Sequence, residues 1–224
     1  MLRVLCLVVG YLFGLFQTAF IYGKLHGIDI REYGSGNSGT TNMMRTLGKK
    51  AGYITYAGDA IKVIVCVALV SFVLGKNHHD MEILYVFYAG LGVILGHNFP
   101  CYMNFKGGKG IAATSGIVLS FLFIPWLWPW SFWIFVLNFG LFFGTLFIFK
   151  YVSLASLTFA AAWFIQVVVF GQMGLFEMNQ AHLYEAYGIT LIISALAFIR
   201  HRENIKRLLN GTERKIGQKK KEEQ

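Results

Sequence analysis

Charge is scarce in this chain. Only 14% of its 224 residues are Asp, Glu, Lys or Arg, whereas a soluble domain carries about a quarter. That shortage excludes an ordinary water-soluble globule. Cysteine is sparse as well. Cys6, Cys66 and Cys101 stand far apart, without the spacing of a metal site. Cys6 and Cys66 fall in apolar runs, where a thiol is inert packing. No His has an Asp five residues after it: His26, His78, His79, His97, His182 and His201 are followed there by Arg31, Ile83, Leu84, Tyr102, Tyr187 and Lys206. A catalytic His–Asp pair of the H-x-x-x-x-D kind is therefore excluded. No A-x-A cleavage site follows the first apolar run, so that run is read as a retained helix and not as a signal peptide.

What is present in abundance is apolar residues, 56% of the chain, with a mean hydropathy of +0.55. They recur in long runs separated by short polar pieces. This pattern predicts an all-α integral membrane protein with about seven transmembrane helices, at 4–22, 53–74, 82–97, 111–127, 131–149, 154–171 and 183–199. The third run is short. At 1.5 Å per residue it covers ~24 Å of a hydrocarbon core ~30 Å thick, so it is thinned around or buried among its neighbours. Pro125 and Pro129 separate the fourth and fifth runs, with Trp126, Trp128, Trp130 and Trp133 close by as interfacial anchors. One membrane domain over 1–217 and a charged tail over 218–224 account for the chain.

Positive charge sets the expected orientation. Of the 20 Lys and Arg residues, 17 fall on one side of the seven runs; Arg3 and Lys76 fall on the other, and Lys62 lies inside the second run. The richer side is cytoplasmic, which puts the N-terminus outside and the C-terminus in the cytoplasm. Segments 23–50, 98–110, 150–153 and 200–217 then share the cytoplasmic face and can meet at one site.

Three of those segments carry the chemistry. Gly34 to Gly39 formally matches G-x-G-x-x-G, but a membrane helix precedes it and Asp59 lies in another, so the dinucleotide reading fails. It reads instead as a Gly/Ser/Asn loop entering a short helix, with Thr41 or Asn42 as N-cap, Gly48 near its end and Arg45 on it. Exposed amides beside a guanidinium bind anions. The second segment runs Gly96-His97-Asn98-Phe99-Pro100 and on to Phe105-Lys106-Gly107-Gly108-Lys109-Gly110. It is no Walker loop, because Gly110 follows Lys109. Its glycines permit tight bends that aim backbone N–H groups at one point, and two lysines add charge, which suits a phosphate. In the third segment His201, Asn204 and Arg207 recur at i, i+3 and share one helical face. Ser153 and Ser156 cap a helix or donate to a phosphate. Asp59 and Lys62 are read as a buried structural pair.

Together these motifs resemble the PlsY family of integral-membrane acyl-phosphate:glycerol-3-phosphate acyltransferases of bacteria. The family patterns G-S-G-N-P-G-A-T-N-x-x-R, G-H-x-F-P … F-K-G-G-K-G and H-R-x-N-I-x-R-L-x-x-G-x-E are matched at 34–45, 96–110 and 201–213, with Ser38 and Thr40 in place of Pro and Ala. The resemblance implies transfer of a long-chain acyl group from acyl phosphate to the sn-1 hydroxyl of glycerol 3-phosphate, the first acylation of phospholipid synthesis. It implies catalytic roles for Ser35, Arg45, Lys109, His201 and Asn204. Phosphate binding would fall to Gly34, Gly36, Asn37, Thr41, Asn42, His97, Lys106, Gly107, Gly108, Gly110, Ser153, Arg207 and Glu213. No metal or other cofactor is implied. The expected partners are the two substrates, the lipid bilayer of a bacterial cell membrane, the enzyme that makes acyl phosphate and the next acyltransferase; no nucleic acid is expected. With no activated nucleophile in view, direct attack by the acceptor hydroxyl is expected, its proton passing to a substrate phosphate oxygen or to His201. The alternative is a transporter of phosphate or an organophosphate, which would hold its polar site near the bilayer midplane.

Overall fold

The computed structural model describes residues 1–75 and 81–218. The tail expected over 218–224 lies, beyond Gln218, outside the described residues. Among the described residues there are ten α-helices and no strand. In chain order they are α1 (Leu2–Gly14), α2 (Thr18–Leu25), α3 (Thr40–Leu47), α4 (Lys49–Leu74), α5 (Glu82–Asn98), α6 (Ile111–Ser120), α7 (Trp130–Phe149), α8 (Val152–Gln172), α9 (Gln180–Arg200) and α10 (Arg202–Leu209). Among the described residues, six stretches are long and apolar enough to cross a membrane, counting α1 and α2 together.

The fourth expected span differs. Instead of running over 111–127, α6 stops at Ser120 and two single 3-10 turns, Phe121–Phe123 and Pro125–Leu127, carry the chain to α7. Ten residues rise ~15 Å, half the hydrocarbon core. The seventh apolar segment, Ile111–Phe123, is thus too short to cross unaided, and its buried residues Ala113, Ile117 and Val118 pack it inside the bundle.

The centre of that bundle is α5. In the most apolar 18 residues of Glu82–Met103, 83% are buried, against 11% in those of α7, which exposes Trp130, Phe132, Trp133, Phe143, Phe147 and Phe149. This is the short third run, and burial among neighbours is how it is accommodated. Glycine makes the close approach possible. A Cβ on Gly10 would stand 2.1 Å from the Ala89 carbonyl oxygen, and one on Gly92 2.2 Å from that of Leu7. Gly14 and Gly96 meet in the same way, so α1 and α5 touch backbone to backbone through paired Gly-x-x-x-Gly stripes.

The first expected span, 4–22, is broken at Leu15–Gln17. Backbone groups freed inside a membrane must find partners within the protein. Here they do. Gln17 Nε2 donates to the carbonyl of Gly14 at 3.1 Å, the Tyr102 hydroxyl to that of Leu15 at 2.8 Å, and Lys62 Nζ to that of Phe16 at 2.7 Å. Asp59 and Lys62 do form the buried ion pair, at 2.9 Å. They form it as members of a larger cluster with Thr18 and His97.

Candidate functional site

The three motif segments come together at one end of the bundle. The first begins with two glycines at positive φ, Gly34 (+63°) and Gly36 (+69°), a backbone conformation other residues rarely adopt. Asn42 holds this loop. Its Oδ1 accepts from the Ser35 amide at 2.8 Å, and its Nδ2 donates to the carbonyls of Tyr33 at 2.9 Å and Ile30 at 3.2 Å. Two expectations change here. Asn42 is buried with its amide fully engaged, so it shapes the loop and has no donor left for a phosphate. The N-cap is Gly39, with α3 starting at Thr40, because Asn42 is drawn back toward the loop. Gly48 does end α3, at φ +88°. Ser35 is exposed, Asn37 and Thr41 are half-buried, and Arg45 is exposed. Arg45 has no hydrogen-bond or ion-pair partner among the described residues. It lies within electrostatic reach of Arg214, Glu213 and Arg207.

The glycine loop contradicts its expected role in part. The amides of Gly107 and Gly108 do not point at an open site. They donate to the carbonyls of Asn98 at 3.1 Å and His97 at 3.0 Å. The reason lies in α5, whose last carbonyls have no intrahelical donor and take these amides instead. Glycine is required because the strands of chain nearly touch: a Cβ on Gly107 would stand 2.0 Å from the His97 carbonyl oxygen. From the other side Arg200 clamps the loop, Nη2 donating to the Gly107 carbonyl at 2.7 Å and Nε to that of Gly108 at 3.1 Å. Gly110, at φ +86°, caps α6. The first amides of α6 have no carbonyl within their own helix to donate to, and Lys109 stands beside them. Lys106 is exposed and makes no side-chain hydrogen bond among the described residues. His97 is 3% exposed and sits beneath the loop, Nδ1 3.0 Å from Lys62 Nζ.

The third segment is organised by Glu213. Its Oε1 accepts from Ser153 at 2.8 Å and Asn204 at 2.7 Å; its Oε2 accepts from Arg207 at 2.6 Å. This corrects the expected phosphate contact. An ionised carboxylate can only accept hydrogen bonds, and it repels a phosphate. Glu213 instead anchors the donors, and Ser153 is spent on it. Burial opposes its charge, but the bonds from Asn204, Arg207 and Ser153 outweigh that and hold its pKa below the usual glutamate value. The Asn204 oxygen accepts from Lys109, which ties the second motif to the third. Burial, with help from the charges of Arg207, Arg200 and Arg45, lowers the Lys109 pKa to about 8 despite the attraction of Glu213.

The third segment does not simply continue α9. The chain breaks at His201, and α10 starts at Arg202. The break turns Asn204 and Arg207 toward Glu213, so these two share a face, while His201 sits in the break and leaves the expected three-residue helical face incomplete. His201 is buried, and its Nδ1 donates to the Ala197 carbonyl at 2.7 Å, which leaves the Nε2 lone pair as its acceptor. Burial first, and the Lys109 charge next, lower the His201 pKa to about 4. The imidazole is neutral at physiological pH and a weak base.

Arg200 and Gln17 are functional supports that the motifs did not single out. The signal for Arg200 was its place beside His201; Gln17 offered none beyond being polar in an apolar run. Among the described residues no three His, Cys, Asp or Glu side chains group as a metal site would need.

Residues 4–211 match the family model described as glycerol-3-phosphate acyltransferase. The glycerol-3-phosphate acyltransferase of Alkaliphilus metalliredigens is 38% identical over 220 residues, covering 98% of each chain. That of Clostridioides difficile is 40% identical over 217 residues, covering 95% of each. Among solved structures, the crystal structure of PlsY, an integral membrane glycerol 3-phosphate acyltransferase, is similar in its glycerol 3-phosphate form, with a TM-score of 0.78, 32% identity and 96% of each chain covered. The lysophosphatidic acid form aligns with a TM-score of 0.76 at 31% identity, over 96% of this chain and 95% of that one.

Proposed function

The chain belongs to the glycerol-3-phosphate acyltransferase family, and we propose that its acyl donor is a long-chain acyl phosphate. The acyl group passes to the sn-1 hydroxyl of glycerol 3-phosphate, giving lysophosphatidic acid and inorganic phosphate. One observation carries this reading: Lys109, Asn204, Arg207 and Arg45 converge around the Glu213 anchor. Both substrates bring phosphate to such a site. A unit charge about 4 Å from a phosphate is worth roughly 4 kcal/mol at an effective dielectric near 20. Lys109 and Arg45 take the leaving phosphate and stabilise its charge, Ser35 and Asn204 orient it, and the first turn of α6 adds its amides.

The hydroxyl oxygen bonds to the acyl carbon as the bond from that carbon to the phosphate oxygen breaks. The proton goes to a substrate phosphate oxygen. Its ionisation near pH 6 is better matched to neutral operation than His201, held at about 4. His201 then serves through its Nε2 acceptor, orienting the hydroxyl.

We place this end of the bundle in the cytoplasm of a bacterial cell, on the 17-to-2 distribution of basic residues. The donor then comes from an enzyme that phosphorylates a fatty carboxylate or cleaves an activated acyl group with inorganic phosphate, and the product goes to a second acylation. Purified protein should convert palmitoyl phosphate and glycerol 3-phosphate to lysophosphatidic acid and phosphate. Uptake of glycerol 3-phosphate into sealed vesicles without acylation would favour a transporter instead.

A further inference from the structure

An ionised lysine inside a membrane-crossing helix is costly and is kept for a reason. Lys62 lies in α4, side chain 4% exposed, and its ammonium has three contacts for its three N–H groups: Asp59 Oδ1 at 2.9 Å, the Phe16 carbonyl at 2.7 Å and His97 Nδ1 at 3.0 Å. Asp59 Oδ1 also accepts from Thr18 at 3.2 Å and so is fixed in turn. A lysine ammonium has no acceptor, so its contact with Nδ1 makes that nitrogen the lone-pair side of the ring. The proton must then sit on Nε2. That nitrogen faces the glycine loop: a Cβ on Gly108 would lie 2.1 Å from it. It has no hydrogen-bond partner among the described residues.

We propose that Lys62 is a positioning residue for acyl transfer, fixing His97 as the tautomer that presents its Nε2–H donor to a phosphate bound at the glycine loop. The role rests on the functional reading above. Asp59 holds the Lys62 ammonium in place at 2.9 Å, Lys62 sets the ring, and Gly108 leaves the space through which the donor acts. A merely structural ion pair would need only Asp59; the contact to His97 Nδ1 is what joins it to the loop.

The test is nitrogen NMR on protein labelled with 15N-histidine, the His97 signals being assigned by their loss in His97→Asn. Wild-type His97 should show a protonated Nε2 and an unprotonated Nδ1, and Nε2 should shift on titration with glycerol 3-phosphate or inorganic phosphate. Lys62→Met should mix the two tautomers and raise the KM for a phosphate substrate about tenfold, with kcat changed less than about threefold, as for a lost ground-state contact. Lys62→Arg should keep the tautomer. A wild-type ring protonated on Nδ1 overturns the proposal without any variant. So does a Lys62→Met protein with wild-type tautomer or KM. Wild-type protein that acylates nothing defeats the functional reading, and this role with it, whatever the spectrum shows.

Discussion

Removing the Lys109 charge should cost activity without costing the fold. In Lys109→Met the site loses a cation that is already strained by burial and by the nearby arginines, its pKa held at about 8. Its one side-chain bond among the described residues is to Asn204, which stays tied to Glu213. The fold therefore gives up little, and thermal unfolding in detergent should stay level or rise. The reaction gives up a charged contact to the leaving phosphate, about 2–4 kcal/mol, or roughly 30- to 1,000-fold in rate. The wild type should show the same loss through pH. In kcat/KM, which reports the free enzyme, a lysine of pKa about 8 falls from about 90% charged at pH 7 to about 9% at pH 9, close to a tenfold decline. The sign follows from a lowered lysine pKa: charge is present below it and lost above it. Lys109→Arg, which stays charged, should lack this alkaline decline even if its absolute rate is lower. Initial rates of phosphate release across pH 6.5 to 9.5, roughly the window the pKa defines, make the measurement. A flat wild-type profile to the alkaline end, or a Lys109→Met enzyme within about threefold of wild type, refutes the reasoning.

Three further outcomes follow from the same geometry. Arg45→Ala removes a side chain with no hydrogen-bond or ion-pair partner among the described residues, so stability should move by less than about 0.5 kcal/mol. Its activity should nonetheless fall about 30-fold or more; near-normal turnover would show that Arg45 touches no substrate. Cys101 is exposed while Cys6 and Cys66 are buried, so a membrane-impermeant thiol reagent should label the protein in permeabilised cells and spare it in intact ones. Strong labelling from outside would reverse the proposed orientation. Gly92→Val should collapse the α1–α5 contact, because its Cβ would stand 2.2 Å from the Leu7 carbonyl and 2.8 Å from the Tyr11 amide. Destabilisation of about 3 kcal/mol or more is expected from such a backbone clash, and a thermal midpoint within a degree of wild type would contradict it.

Long apolar runs and their order could be read in the sequence, because hydropathy and length govern membrane crossing; for the short third run the sequence left bilayer thinning and burial both open, and its position at the centre of the bundle decides for burial. The gathering of Arg45, Lys109 and Asn204 was legible too, since their segments sit on one side of the runs. What the local sequence concealed is which polar atoms satisfy which. Gly107 and Gly108 look like amides aimed at an anion until α5's unmet carbonyls are seen to claim them. Glu213 looks like one more site residue until its three donors arrive, one from α8 and two from α10. The break at Leu15–Gln17 has no proline or glycine pair to announce it. Lys62, 46 residues later in the chain, is what makes it tolerable.

That break has a consequence for how the protein is made. Tyr102, which takes the Leu15 carbonyl, lies 87 residues further along. A chain emerging from the ribosome has neither partner when its first apolar run meets the bilayer. Until they arrive, an unbroken helix is the only form that leaves no backbone group bare in lipid. The first span must therefore enter straight and bend only after α4 and α5 have inserted beside it. Its second half, which leads into the Ser35 loop, takes its working direction as one of the last acts of assembly, so a half-made chain presents no finished site to its substrates.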